Sequence, residues 1–180
     1  MRSNNPEHIE QVTFFDWVRL NREYAPNQDV KNAMNLCYSN QAGAALKQKQ
    51  DASGNWYSPE GKYLKAEGMT RGIPDVNLDY PAQGETYAYP ESRCVAVDIF
   101  HGLRLEFKYR KPPISAKIQA KIDSSDYLTD LSPKQKIKRE LLLAAGYQVK
   151  VVYSAKQAIR EVFNYLPFEI SDYQGVSEYL

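Results

Sequence analysis

Residues 102–109, Gly-Leu-Arg-Leu-Glu-Phe-Lys-Tyr, alternate apolar and charged side chains without a break, and a period of two commits the segment to a strand. Leu103, Leu105 and Phe107 then share one face, and Arg104, Glu106 and Lys108 the other. The apolar face has to be covered by other elements, and three charges stand on the opposite side. Taken alone, the charged face is the solvated side of an antiparallel strand, with Glu106 and Lys108 as a surface ion pair. With a second carboxylate alongside, the same residues become a place where a metal ion and a lysine act together. Asp75, in Gly72-Ile73-Pro74-Asp75, is the candidate for that second carboxylate.

A chain of 180 residues buries a core without disulfide or metal staples, so a single domain over residues 1–180 is expected. No apolar run is long enough to span a bilayer, and no apolar stretch follows Arg2 as a signal or transit sequence would require. A cytoplasmic protein without membrane contact is therefore expected. Cys37 and Cys94 lie far apart and only His8 and His101 accompany them, which excludes a zinc cage and favours buried free thiols. The charge is unevenly spread. Residues 104–139 carry ten Lys or Arg against four acids, a local +6 within a chain of net charge +1. A belt of this kind is the footprint of a polyanion binder, although a solvated helix face gives similar counts.

Asn5 as cap and Pro6 at the first position open a helix through about Arg22. Glu7, Gln11, Phe14 and Val18 fall on one stripe of it, and Ile9, Val12, Phe15, Trp17 and Leu20 make the other faces apolar, so the helix is expected to be mostly buried. Glu7 there either favours the helix N-terminus through the dipole or enters partly buried ground in need of a cation or donor. Residues 33–38 read as a first strand, 44–65 as a short helix followed by irregular chain, and 74–78 as a second strand. A tyrosine-rich excursion from Tyr80 to about Ser92 suggests a hairpin or flap, with local packing favoured over base stacking. Residues 95–99 lead into the central strand, and 111–130, with Pro112, Pro113 and several lysines, read as an extended, mobile connection. Ser132, Pro133 and Gln135 form a strong helix start. Gly146 ends that helix, 147–152 is β-rich, and Ser154 caps a last amphipathic helix bearing Ile159, Val162, Phe163 and Leu166. This order implies an α/β fold, a mixed sheet between helices.

The same order resembles the PD-(D/E)xK nuclease superfamily and, within it, the virus-type replication-repair nuclease (VRR-NUC) domains. The likeness is carried by Glu7-x-x-x-Gln11, Gly72-Ile73-Pro74-Asp75, Glu106-Phe107-Lys108, Ser132-Pro133-Lys134-Gln135 and the Gly146-Tyr147 bend, and spans residues 7 to about 166. It implies a restriction-endonuclease-like core with a mixed central sheet flanked by helices and a tyrosine-rich insertion. The resemblance further implies a Mg²⁺- or Mn²⁺-dependent endodeoxyribonuclease acting on branched DNA such as four-way (Holliday) junctions, present as a homodimer in a bacterial or phage-infected cell.

On that resemblance, Asp75, Glu106, the Phe107 carbonyl and Glu7 would hold the metal, and Lys108 and Gln135 would complete the catalytic set. Hard oxygen donors of this kind suit the hydrolysis of a phosphodiester by a metal-activated water. Gln135 equally fits a reciprocal capping box with Ser132. Gln11 would position Glu7 or the lysine, and Tyr147 reads as core. Lys111, Lys117, Lys121, Lys134 and Lys138 are the expected phosphate contacts. The alternatives are a non-catalytic DNA-binding or assembly subunit with the same fold, and a restriction-type or single-strand nuclease. The long segments before Glu106 and before Ser132 are larger than the family pattern.

Overall fold

The computed structural model describes residues 5–40, 49–58, 72–84, 98–112, 114–123 and 127–177. Helix α1 (Pro6–Tyr24) starts as its sequence dictates, with the Asn5 side chain accepting from the Glu7 N–H at 3.2 Å and Pro6 in the first turn. It buries a single face, Phe14, Trp17, Val18 and Asn21, while Ile9 and Val12 are exposed. The expectation of a mostly buried helix is corrected accordingly. The expected strand over 33–38 is also corrected. Asn27 caps a helix α2 (Gln28–Asn35) that buries Val30, Ala33 and Met34 at helical spacing, and only β1 (Cys37–Ser39) is extended.

The hairpin of β2 (Lys49–Gln50) and β3 (Trp56–Tyr57) turns on Asp51, whose carboxylate accepts from the Ser53 and Asn55 N–H groups. It takes the described part of the span expected to begin as a short helix; the rest of that span lies outside the described residues. β4 (Val76–Leu78) follows, then β5 (Ala82–Gly84) and β6 (Asp98–Phe100), which pair antiparallel as the base of the tyrosine-rich excursion. Residues 85–97, with Tyr87, Tyr89 and Cys94, lie outside the described residues. Cys37 is a buried free thiol, and burial pushes it up to about 12.

The central strand β7 (Leu103–Phe107) is where expected. The connection behind it is not irregular: it carries α3 (Ala116–Asp123), nucleated where the Ser115 carbonyl accepts the N–H groups of Ile118 and Gln119, and it buries Ile122. The lysines of 117–121 hide a short helix whose only apolar anchors are spaced by four. Then come α4 (Pro133–Ala144), β8 (Gln148–Val152), α5 (Ala155–Tyr165) and a 3₁₀ turn at Ile170–Asp172. Gly146 makes the α4–β8 turn at φ +80°, a conformation that costs other residues more.

The sheet order is β1-β4-β7-β8, with β1/β4 and β4/β7 antiparallel and β7/β8 parallel. In register, Leu105 lies opposite Val76 and Leu103 opposite Leu78, and these apolar residues join Phe14, Trp17 and Val18 of α1 and Ala158, Ile159 and Val162 of α5 in one core. Each large side chain removed from water there contributes on the order of 1.5–3 kcal/mol. α4 packs against β8 and buries none of its own residues; Ile137 and Leu141 remain exposed. The second face of β7 is not solvated as a lone strand would be: Arg104 and Glu106 are 7% and 4% exposed. Two charges are therefore buried on the face opposite the core, and each has to find partners. No described helix is long and apolar enough to cross a membrane.

Candidate active site

Asp75 immediately precedes β4, one step beyond the Val76–Leu105 pair, and so stands beside Glu106. Its Oδ2 accepts the Phe107 N–H at 2.9 Å. Two residues on, the Tyr109 N–H donates to Glu7 Oε1 at 3.0 Å. Alternate peptide groups of a strand face the same edge, so β4 and α1 each deliver a carboxylate to the margin that β7 presents beyond the end of β4. The Phe107 carbonyl shares that edge with its own N–H. Gln11, expected from sequence to position Glu7 or the lysine, reaches the Asp75 carbonyl through Nε2 at 3.5 Å and braces the backbone of Asp75.

Glu106 points from the opposite face of β7 and is held by two donors on one oxygen: Lys108 Nζ at 2.6 Å and Gln135 Nε2, both on Oε1. Gln135 does two jobs with one amide. Its Oε1 accepts the Ser132 N–H at 2.9 Å and closes the capping box of α4, while its Nε2 reaches Glu106. The two roles read from the sequence as competitors coexist, because the N3 side chain of a capping box offers oxygen to the cap and leaves its nitrogen free to point elsewhere. Gly72 fixes this juxtaposition. At φ +86° it lies so close to the start of α4 that a Cβ there would meet the Lys134 carbonyl oxygen at 2.8 Å.

The electrostatics are unbalanced. Burial, followed by the neighbouring Asp75 charge, pushes Glu106 up to about 7 despite the ion pair and hydrogen bond from Lys108. Burial likewise lifts Asp75 above the ordinary carboxylate range, with a smaller push from Glu7, against the Phe107 N–H and Lys108. Two carboxylates thus share one ammonium in partly dehydrated ground.

The expected three-acid convergence is only half formed. Among the described residues no three Asp, Glu, His or Cys side chains gather as a metal-holding group, because Glu7 is tied to Tyr109, one pleat beyond the edge group that holds Asp75. The pair Asp75 and Glu106, with the Phe107 carbonyl nearby, is nonetheless an all-oxygen, acid-excess set that fits a hard divalent cation.

Of the expected phosphate contacts, Lys111 follows β7, Lys117 and Lys121 lie one turn apart on α3, and Lys134 and Lys138 one turn apart on α4. The basic belt is thinner than its count. Arg104 is spent inside the protein: its Nη2 pairs with Asp79 Oδ1 at 2.7 Å and its guanidinium lies 4.1 Å over the Tyr147 ring. Tyr147, read from the sequence as core, is instead half-buried beneath that arginine and outside the hydrophobic core cluster. The Tyr109 N–H went unnoticed in the sequence because a backbone donor carries no side-chain signal. Arg110, Lys156 and Arg160 were missed as a group because they come together only through folding.

The fold has a known counterpart. The chain is similar to a solved structure described as "VRR_NUC domain protein", with 19% identity, a TM-score of 0.50, and 91% of this chain and 90% of that one covered. The two share the fold, a mixed sheet flanked by helices. In sequence, no protein-family model and no curated protein matches the chain.

Proposed function

We propose that this chain is a divalent-metal-dependent endonuclease that hydrolyses phosphodiester bonds of DNA, with branched DNA, four-way junctions included, as its substrate class. The observation that carries this reading is the acid excess at the end of β7, where Asp75 and Glu106 are set side by side with Lys108 as their shared ammonium. Buried acids in excess are stabilised by a cation, and these donors suit Mg²⁺ or Mn²⁺ held by Asp75, Glu106 and the Phe107 carbonyl. When bound, such an ion lowers the pKa of a water and stabilises charge on the scissile phosphate.

The chain's own residues supply the rest. Lys108, with its Nζ already at Glu106, orients a water or donates to a phosphate oxygen. Gln135 holds Glu106 in its rotamer from the fixed start of α4. Glu7, anchored on Tyr109, adds negative charge at the margin of the site and would help to hold the ion. Lys111, Lys117, Lys121, Lys134 and Lys138 contact phosphates, so binding weakens steeply with salt. A homodimer would set two such sites against two strands of a junction, and an elution volume tests it.

Incubating the protein with junction, flap, linear duplex and single-stranded DNA, under Mg²⁺, Mn²⁺ or EDTA, tests the reading. Metal-dependent cleavage that is strongest on branched DNA and lost in Asp75→Ala is expected. Absence of cleavage under either metal overturns the reading, and equal cleavage of all substrates removes the branch preference. The same assay decides the second reading, a non-catalytic DNA-binding subunit, which the closed Lys108–Glu106 pair at 2.6 Å favours. Selective cutting of linear duplex or of single strands would instead mark a restriction-type or single-strand nuclease.

A further inference from the structure

The described residues enclose a second feature beside the acid pair, a cleft of about 350 Å³ between the end of β7, α3 and the start of α5. Tyr109, Arg110, Ile114, Tyr153, Lys156 and Arg160 line it. Tyr109 joins the two places directly: its N–H holds Glu7, while the residue, 46% exposed, borders the cleft. The cleft's volume lies near the lower end of the range for small-ligand sites, about 300–1,000 Å³, and is of the size of one nucleotide.

The lining has the chemistry of a single-strand binder, with aromatic faces for a base and cations for the flanking phosphates. Two acids also border the cleft, and both are engaged: Glu10 Oε2 accepts the Ala155 N–H at 2.7 Å, and Asp123 Oδ1 accepts Gln119 Nε2 at 2.9 Å. Arg160 donates to the Asp123 carbonyl at 2.7 Å, which fixes α3 against α5 at one wall of the cleft. The Arg110 guanidinium stands 4.9 Å over the Tyr127 ring and is ion-paired with Asp130, its Nη1 3.8 Å from Oδ1. A paired, stacked base cannot enter such a concavity, whereas extruding one that is already unpaired costs least.

The geometry points to a subsite in this cleft for one unstacked nucleotide of a DNA strand whose neighbouring phosphate lies at the Asp75–Glu106 pair. Selection of branched over continuous DNA then comes from the unpaired nucleotide at the branch. This deepens the nuclease reading and rests on it for the strand's course past the acid pair, but the affinity of the cleft for an unpaired nucleotide is measurable without cleavage.

The test is fluorescence anisotropy in EDTA with three labelled duplexes: one with a single unpaired nucleotide, the same duplex with that nucleotide abasic, and a continuous duplex. The base-bearing bulge is expected to bind roughly ten-fold tighter than either of the others, as loss of one stacked base implies. In a Tyr109→Ala protein that melts like the wild type, the advantage should shrink to about two-fold, whereas Lys156→Ala should weaken all three duplexes alike and leave the advantage in place. Equal affinity for the base-bearing and abasic duplexes in the wild-type protein overturns the subsite whatever the variants do. Cleavage assays with Mg²⁺ or Mn²⁺ keep the two readings apart. Base preference without cleavage sinks the nuclease reading and keeps the cleft, whereas cleavage without base preference does the reverse.

Discussion

Strand β7 buries one charge near each of its ends, both on the face away from the core, and treats them in opposite ways. Arg104 is matched: Asp79 balances it, the Leu103 carbonyl accepts from Nη1, and the Tyr147 ring covers its guanidinium. Tyr38 adds a hydrogen bond to the other oxygen of Asp79 at 2.7 Å. Glu106 is left outnumbered, with a second carboxylate close by and one lysine to serve both. A buried arginine balanced by a half-exposed carboxylate needs nothing further and serves structure. An acid excess maintained in a folded protein is unfavourable until a cation or a proton arrives, and that is the signature of a site. The difference separates two groups that look alike in the sequence, as charged residues two apart on one strand.

The largest effect expected is on cleavage. Glu106→Gln and Asp75→Asn should each lower the rate on branched DNA by roughly a hundred- to a thousand-fold or more, in a protein that melts at or above the wild-type temperature. Asp79→Asn should do the opposite, costing on the order of 1–3 kcal/mol in a denaturant melt and leaving the cleavage chemistry in place. A cleavage loss in Asp79→Asn matching that in Glu106→Gln would erase the contrast between the two ends.

Next comes Gln135→Glu, which keeps a residue able to close the capping box but removes the N–H that serves Glu106 and adds a third acid. The turnover rate should fall by about ten- to a hundred-fold and the melting temperature of the metal-free protein should drop, because a third acid joins the excess, whereas Ser132→Ala should cost about 1 kcal/mol of stability through the lost cap. Gly72→Ala ranks third. It strains a φ of +86° and drives a methyl against the Lys134 carbonyl, so about 1–2 kcal/mol of stability should be lost, measured by urea melts, with cleavage reduced through the displaced Gln135.

The effect that needs no variant is the pH dependence of the metal-free protein. Glu106 holds its proton up to about 7 in the folded state but only to its ordinary value of 4.5 when unfolded. Between these values the folded state binds the extra proton, so stability falls as pH rises through the window. Asp75, raised in the same direction, adds to the slope, and Lys108 and Glu7 are the other charges facing the pair. Melting temperatures in EDTA should decline from pH 5 to pH 8 in the wild type and decline less in Glu106→Gln.

The parts of the fold that a reader could take from the sequence are those written in local chemistry. The alternation of β7, the Ser132-Pro133-Gln135 start of α4 and the Gly146 turn each depend on neighbours within a few residues. Residues 33–38 misled because β-compatible side chains there are spaced equally well for α2, and the Asn27 cap decides in favour of the helix. Helix α3 was hidden by lysines that mask a single buried anchor, Ile122. At the candidate site, the meeting of Asp75 with Glu106 was foreseeable from a Pro-Asp turn feeding a strand, and the structure brings them together. The hold of Tyr109 on Glu7 and the cleft of Arg110, Lys156 and Arg160 arise from segments far apart in the chain and leave no local trace.

The claim that the C-terminal end of β7 is a cation site is tested most directly by isothermal titration of Mn²⁺ into the wild-type, Glu106→Gln and Asp79→Asn proteins at pH 8, without DNA. Saturable binding in the wild type and in Asp79→Asn, with its loss in Glu106→Gln, is the predicted result. Binding of equal affinity in the wild type and Glu106→Gln, or no binding in the wild type, would contradict the account.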